Sequence, residues 1–311
     1  MAAGKRNAVR ATDEVVSKMG IPFPVPAPGA PTVGVVFEGG GYRGVYTEGV
    51  FDVWLENGIT ATHTVGVSAG ATFGCNFKSC QLGRATRYNK RFCRDPRYAG
   101  LGNLLRTGNL FSEDFAFGEL PWRLDVFDTE TYAANPMRFT AVAMDINTGE
   151  AVYHDLMRGD KEDVEWMRAS SAIPALARPV HLEGRELLDG GMADSIPFRY
   201  MLDQSYDRCV VVCTQPKGYR KEPNSLMPFL RVRLRRYPKL VEMLADRHER
   251  YNAQLDELDR LEREGRVFVI RPSESVSVPI SLKDPEQLER NYRIGRHDGE
   301  ATLEALRAYL A

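Results

Sequence analysis

Twice before Ala71 the chain runs a short strand-like stretch into glycines and then into a helical pattern, and this repeated arrangement restricts the fold more than any other feature. Val33 to Phe37 is a β-branched run that leads into Gly39-Gly40-Gly41-Tyr42-Arg43-Gly44. Between Gly44 and Glu56, Val45, Val50, Val53 and Trp54 then fall roughly on one helical face. Thr62 to Val67 reads as a second buried strand, ending in Gly66-Val67-Ser68-Ala69-Gly70, with a helix expected from there to about Cys80. Arg138 to Ile146, Glu186 to Asp189 and Asp207 to Cys213 continue the strand pattern, and Lys161 to Ser171 reads as a helix. Strands alternating with helices predict an α/β fold around a mostly parallel sheet.

Outside this alternation the pattern changes. Residues 1–31 read as an N-terminal arm, whose second half, with Pro22, Pro24, Pro26, Pro28 and Pro31, is a stiff extended connector. The catalytic unit is expected over 32–215. Residues 216–311 are expected to form a C-terminal, largely helical extension packed on the same domain. It would hold a charged helix from about Pro238 to Gly265, a strand at Val267 to Arg271 and a helix from about Pro285 to Leu310. Arg84 to Arg97 predicts a basic helix or loop.

Composition excludes several classes. Of 311 residues, 43% are apolar and 27% charged, an ordinary globular balance, and the net charge of -1 gives no long-range field for a nucleic acid. Five cysteines lack the spacing of a disulfide framework or a zinc site, which fits a reducing cytoplasm. Lys5, Arg6 and Arg10 are followed by Thr12-Asp13-Glu14 where an export signal needs an apolar stretch. No apolar run approaches the ~20 residues of a membrane span. A cytoplasmic protein that meets membranes from outside is the expectation.

The glycine loop matches G-x-G-x-x-G, and a nucleotide-binding module could seat a phosphate there, but the acidic residue expected near the end of the following strand to hold a ribose is missing. Gly66 to Gly70 instead has the form of a nucleophile elbow: small flanking residues permit a strained turn that projects the Ser68 hydroxyl, and the helix after it favours developing negative charge. Acyl transfer also needs donors for an oxyanion, and the N–H groups of Gly39, Gly40 and Gly41 offer them. For the general base, none of His63, His154, His181, His248 and His297 sits in a small-residue turn after a strand. Asp189 does, followed by Gly190 and Gly191. Partial desolvation beside a serine hydroxyl can raise a carboxylate into a useful basicity range. A Ser-His-Asp triad built on His248 or His297 is the competing arrangement.

Taken in order, Gly39 to Gly44, Gly66 to Gly70 and Asp189-Gly190-Gly191 resemble the three signatures of patatin-like phospholipases. The segment Ala169 to Pro174, continuing to Pro179, resembles the stretch before that family's aspartate. The resemblance covers roughly residues 33–215. It implies a three-layer α/β/α fold, a Ser68–Asp189 dyad without histidine, an oxyanion loop at Gly39, Gly40 and Gly41, and hydrolysis of lipid acyl esters of the phospholipase A, lysophospholipase or esterase type. Arg43, Gly44, Gly66, Gly70, Gly190 and Gly191 are its supporting positions. No metal or cofactor is implied. Glu38 stands where many members carry Asp, and Ser195 where Asn is common.

One surface feature bears on the substrate's setting. Lys217, Arg220, Lys221, Arg231, Arg233, Arg235, Arg236 and Lys239 cluster with Glu222 as the sole acid among them. Arg231, Arg233, Arg235 and Arg236 are the expected contact with anionic lipid, placing the protein at the inner face of the membrane.

Overall fold

A computed structural model describes residues 29–279, 281 and 283–311. The arm expected over 1–31 lies outside them up to residue 28. The strands are β1 (Val33–Phe37), β2 (His63–Val67), β3 (Arg138–Asp145), β4 (Ala151–Asp155), β5 (Val180–Leu182), β6 (Arg185–Asp189), β7 (Arg208–Val212) and β8 (Phe268–Ile270). The helices are α1 (Gly44–Glu56), α2 (Ala69–Thr72), α3 (Cys75–Lys78), α4 (Arg84–Phe92), α5 (Leu101–Thr107), α6 (Thr129–Ala134), α7 (Lys161–Ser170), α8 (Phe198–Asp203), α9 (Met227–Arg233), α10 (Pro238–Ala245), α11 (Arg247–Arg263) and α12 (Pro285–Leu310).

The strands form one mixed sheet in the order β5-β6-β3-β2-β1-β7-β8, with β4 paired to β3 off that path. Its centre is parallel, as the βα alternation predicts: β1 pairs with β2 and β7, β2 with β3, and β7 with β8. The β3 side is antiparallel, through β4, β5 and β6.

Alternation along β1 shows why helices cover both faces. Every residue of β1 is buried. Val33, Val35 and Phe37 join the core that holds α1 and α12, whereas Val36 joins the core that holds α8 and α11. Successive strand side chains point to opposite faces, so two apolar faces require two helical layers. On the α1 side, Phe37, Phe51, Trp54 and Phe77 pack with ring centroids 5.6–6.4 Å apart. Such pairs contribute about 0.5–1.5 kcal/mol each beyond area burial.

α1 is buried on nearly all sides rather than along the single face expected from Val45, Val50, Val53 and Trp54, because α12 covers what the sheet leaves open. The helix expected from Ser68 to about Cys80 is two short pieces. After Thr72 the bonds tighten, with Asn76 N–H donating to Phe73 O and Phe77 N–H to Gly74 O, three residues back. The charged helix expected over Pro238 to Gly265 likewise breaks at Asp246 into α10 and α11.

Candidate active site

Register brings the chemistry-bearing residues to one edge of the sheet. Phe37 pairs with Gly66, Val67 with Val142, and Ala143 with Asp189. Ser68, one residue beyond β2, and Asp189, the last residue of β6, therefore meet across β3 despite their separation in sequence.

Ser68 has φ 56° and ψ -120°, a left-handed conformation that a non-glycine residue rarely adopts. The turn closes this tightly because its flanks lack side chains. A Cβ at Gly66 would lie 2.1 Å from Gly70 O, and one at Gly70 would lie 2.2 Å from Phe37 O. The Ser68 N–H donates to Ser170 Oγ at 2.9 Å, and Ser170 Oγ donates in turn to Val142 O at 2.6 Å. The elbow is thus fastened to β3.

Ser68 Oγ donates to Asp189 Oδ2 at 2.6 Å, and the Gly191 N–H donates to Asp189 Oδ1 at 2.8 Å. Both side chains are buried, at 7% and 4% exposure. Burial pushes the Asp189 carboxyl above the ordinary carboxylate range, while the Ser68 hydroxyl, the Gly191 N–H and the charge of Arg247 pull it back. The buried carboxylate has a hydrogen-bond donor at each oxygen.

The glycine loop lies beside the elbow. At Gly39 a Cβ would come within 2.9 Å of Ser68 Cβ. Gly40 precedes the helical turn Gly41–Arg43, and Gly41, at φ 56°, lines the same cavity as Ser68. Among the described residues, the N–H groups of Gly40 and Gly41 donate to no other group. Arg43 Nε contacts Thr214 Oγ1 at 3.4 Å, and Gly44 begins α1 against Ala69 and Phe73. Gly190 packs on the Val142 carbonyl. Glu38 is buried, with its oxygens accepting from Tyr251 Oη at 2.6 Å and Thr214 N–H at 2.7 Å.

Ser68 lines a mostly apolar cavity of about 140 Å³ that opens to solvent, with Tyr42, Phe73, Phe111, Leu120, Phe127, Met167 and Leu176 in its walls. Such a space suits a hydrocarbon chain.

The histidines stand elsewhere. His63 is buried in β2, contacting Thr140 Oγ1 at 2.7 Å and Tyr206 Oη at 3.2 Å, and burial lowers its pKa to about 4. His154 stacks on Trp166, His181 faces Glu186, and His248 lies 3.1 Å from Ala245 O. His297 lies on α12. Among the described residues, no histidine hydrogen-bonds to Ser68 or Asp189.

A family model for patatin-like phospholipases matches residues 35–202, a span that holds the glycine loop, the elbow and Asp189. The chain belongs to this family. Membership puts it among lipid hydrolases. A second model, a domain of unknown function (DUF6363), matches residues 237–311. The uncharacterized protein YjjU of Escherichia coli (strain K12) is 26% identical over 291 residues, covering 87% of this chain and 77% of that protein. Lysophospholipase NTE1 of Scheffersomyces stipitis is 28% identical over 180 residues, covering 54% of this chain and only 11% of that protein. The crystal structure of VipD from Legionella pneumophila aligns with a TM-score of 0.45 at 14% identity, covering 89% of this chain and 67% of that chain.

Three residues at the site were missed by sequence reasoning. Ser170 falls inside the patatin-like segment that begins at Ala169, yet a lone serine gives no sign that it holds the elbow. Tyr251 and Arg247 lie in a charged helix and look there like surface residues. The predicted basic cluster divides: Lys217 faces Glu262, Arg220 pairs with Asp256, Lys239 pairs with Glu242, and Lys221 sits over the Tyr251 ring. Arg231, Arg233, Arg235 and Arg236 are exposed and have no ion-pair partner among the described residues. Leu226, Phe229 and Val232 are exposed beside them.

Proposed function

We propose that this chain is a serine lipid acyl hydrolase working through a Ser68–Asp189 dyad. The observation that carries the reading is the 2.6 Å hydrogen bond from Ser68 Oγ to a buried carboxylate, on a residue lining an apolar cavity. Ser68 Oγ attacks the ester carbonyl carbon while its proton passes to Asp189 Oδ2. The carbonyl oxygen becomes an oxyanion that accepts from the amides of the glycine loop, chiefly Gly40 and Gly41, with Gly39 shaping the approach. Collapse of the tetrahedral intermediate breaks the ester C–O bond, and the departing alcohol takes the proton from Asp189. Water then gives a proton to Asp189 and attacks the acyl-enzyme, releasing the carboxylic acid and returning the proton to Ser68. The acyl chain occupies the apolar cavity.

On this reading residues 32–215 form the catalytic unit and 216–311 an extension on the same domain. The five cysteines are free and buried, which fits a reducing cytoplasm. No helix among the described residues is long and apolar enough to cross a membrane. Contact with anionic lipid falls to Arg231, Arg233, Arg235 and Arg236, with Leu226, Phe229 and Val232 entering the interface.

The test uses short p-nitrophenyl esters. Ser68→Ala and Asp189→Asn should each lower kcat by about a thousandfold or more while the melting temperature stays near the parent's. Parent-like turnover in either variant sinks the dyad. His248→Gln and His297→Gln, assayed alongside, keep parent turnover unless a triad operates.

A further inference from the structure

We infer that α11, within the region matching a domain of unknown function, is a working part of the catalytic unit: one face of this helix grips both loops of the site, with Arg247 and Tyr251 as positioning residues. The inference rests on the Ser68–Asp189 reading.

Residues 247, 250, 251 and 254 follow helical spacing and share one face of α11. Arg247 Nε donates to Gly191 O at 2.8 Å, and Arg250 Nη2 donates to Met192 O at 2.9 Å. Gln254 Nε2 donates to Asp194 Oδ1 at 2.6 Å and to Ile196 O at 3.2 Å. Three side chains from successive turns therefore hold the loop that follows Asp189. Tyr251, between them, donates to Glu38 Oε1 at 2.6 Å. Through Glu38 this grip reaches Thr214 N–H, and Thr214 Oγ1 donates to Gly39 O at 2.8 Å. The same helix face thus reaches the oxyanion loop.

The Arg247 contact bears directly on the base. Gly191 is held by its carbonyl, which accepts from Arg247 and from Ser195 Oγ at 2.6 Å, and its N–H is the donor to Asp189 Oδ1. Fixing this peptide fixes the carboxylate and turns Oδ2 toward Ser68. The guanidinium also places a positive charge near a buried carboxylate and favours its deprotonated, basic form. Elsewhere on α11, Asp256, Glu257, Asp259 and Glu262 pair at the surface with Arg220, Arg199, Arg271 and Lys217. The gripping residues are thus distinct from the helix's solvated charges.

A plain stapling role and a positioning role make different predictions for the pH profile of a soluble ester. Arg247→Met, with the charge gone, should move the acidic limb of kcat/KM upward by about one pH unit, with turnover recovering in alkali. Arg247→Lys should leave the limb near the parent position while lowering kcat. Tyr251→Phe should lower kcat about tenfold with KM and limb unchanged, because only the oxyanion loop loses support. If Arg247→Met does not fold, Arg247→Gln removes the charge while keeping a donor toward Gly191 and should give the same limb shift. A folded charge-removing variant with an unmoved limb, or Tyr251→Phe with parent kcat, overturns the inference. Asp189→Asn serves as the control. If it is inactive while the limb of Arg247→Met stays put, only the role of α11 falls; if it is active, the dyad reading falls first.

Discussion

Helices α11 and α12 lie in the same C-terminal region but meet the rest of the chain in different ways. α11 reaches loops through long polar side chains that end on carbonyls and carboxylates. α12 meets α1 backbone to backbone: a Cβ at Gly295 would lie 2.0 Å from Tyr46 O, and one at Gly49 would lie 2.2 Å from Tyr292 O. The first contact rests on polar side chains, while the second adds a volume-sensitive backbone crossing to its own polar bonds, Tyr292 Oη to Asp52 Oδ2 at 2.7 Å and Arg296 to Glu56. A region with one name therefore has a half packed into α1 and a half that, on the dyad reading, faces the chemistry.

The most forceful way to break this contrast is Gly295→Leu. With Tyr46 O in the place its Cβ needs, the two helices must separate, and a loss of about 3 kcal/mol or more is expected from overpacking and lost burial. A thermal melt followed by circular dichroism should show an early transition, with activity lost in step. A parent-like melt would mean that α12 does not bind α1 this closely.

A pH series on the parent sharpens the contrast. On the dyad reading Asp189 must be unprotonated to act, and burial raises its pKa, so activity on a soluble ester should climb through a limb above the ordinary carboxylate range. Stability should run the other way. A carboxyl whose folded pKa is raised contributes fully below its unfolded value, and that contribution is lost as pH rises through the folded one. The α1–α12 contact carries a titrating group of its own, Asp52, raised by burial and accepting from Tyr292 Oη. An acidic limb lying at or below the ordinary carboxylate range would contradict the assignment of Asp189 as the base.

The smallest effect on catalysis is expected from a surface that belongs to neither helix. Replacing Arg231, Arg233, Arg235 and Arg236 by Ser should leave soluble-ester turnover unchanged and weaken binding to vesicles containing anionic phospholipid, at ~1 kcal/mol per charge. Co-sedimentation measures this. Undiminished vesicle binding removes that face from consideration.

What sequence made legible follows the same division. Strands with two buried faces are continuous apolar runs, so β1 and the end of β2 could be read directly, and with them the two glycine turns. Asp189 was legible because a carboxylate between an apolar strand and two glycines is unusual. β4 has only half-buried residues and β5 is three residues long, so neither left a clear run. The cavity wall from Phe111 to Phe127 includes a helical segment interrupted by Pro121, which hides its period. Arg247 was illegible because nothing local separates a site-facing arginine from the solvated charges around it. The α1–α12 crossing did leave a trace: a glycine inside a helix costs about 1 kcal/mol relative to alanine, so Gly49 and Gly295 are signs of close packing.

The left-handed backbone at Ser68 has a consequence for engineering. Non-glycine residues in such conformations hold about 1–3 kcal/mol of strain, sustained by the surrounding contacts, here the bond to Ser170 and the close crossing of Gly66 and Gly70. A glycine at this position would relax the turn while removing the proposed nucleophile. On the dyad reading, selection for thermal robustness alone would therefore favour dead enzymes at position 68, and any stabilisation campaign on this scaffold needs an activity screen beside its melting curve.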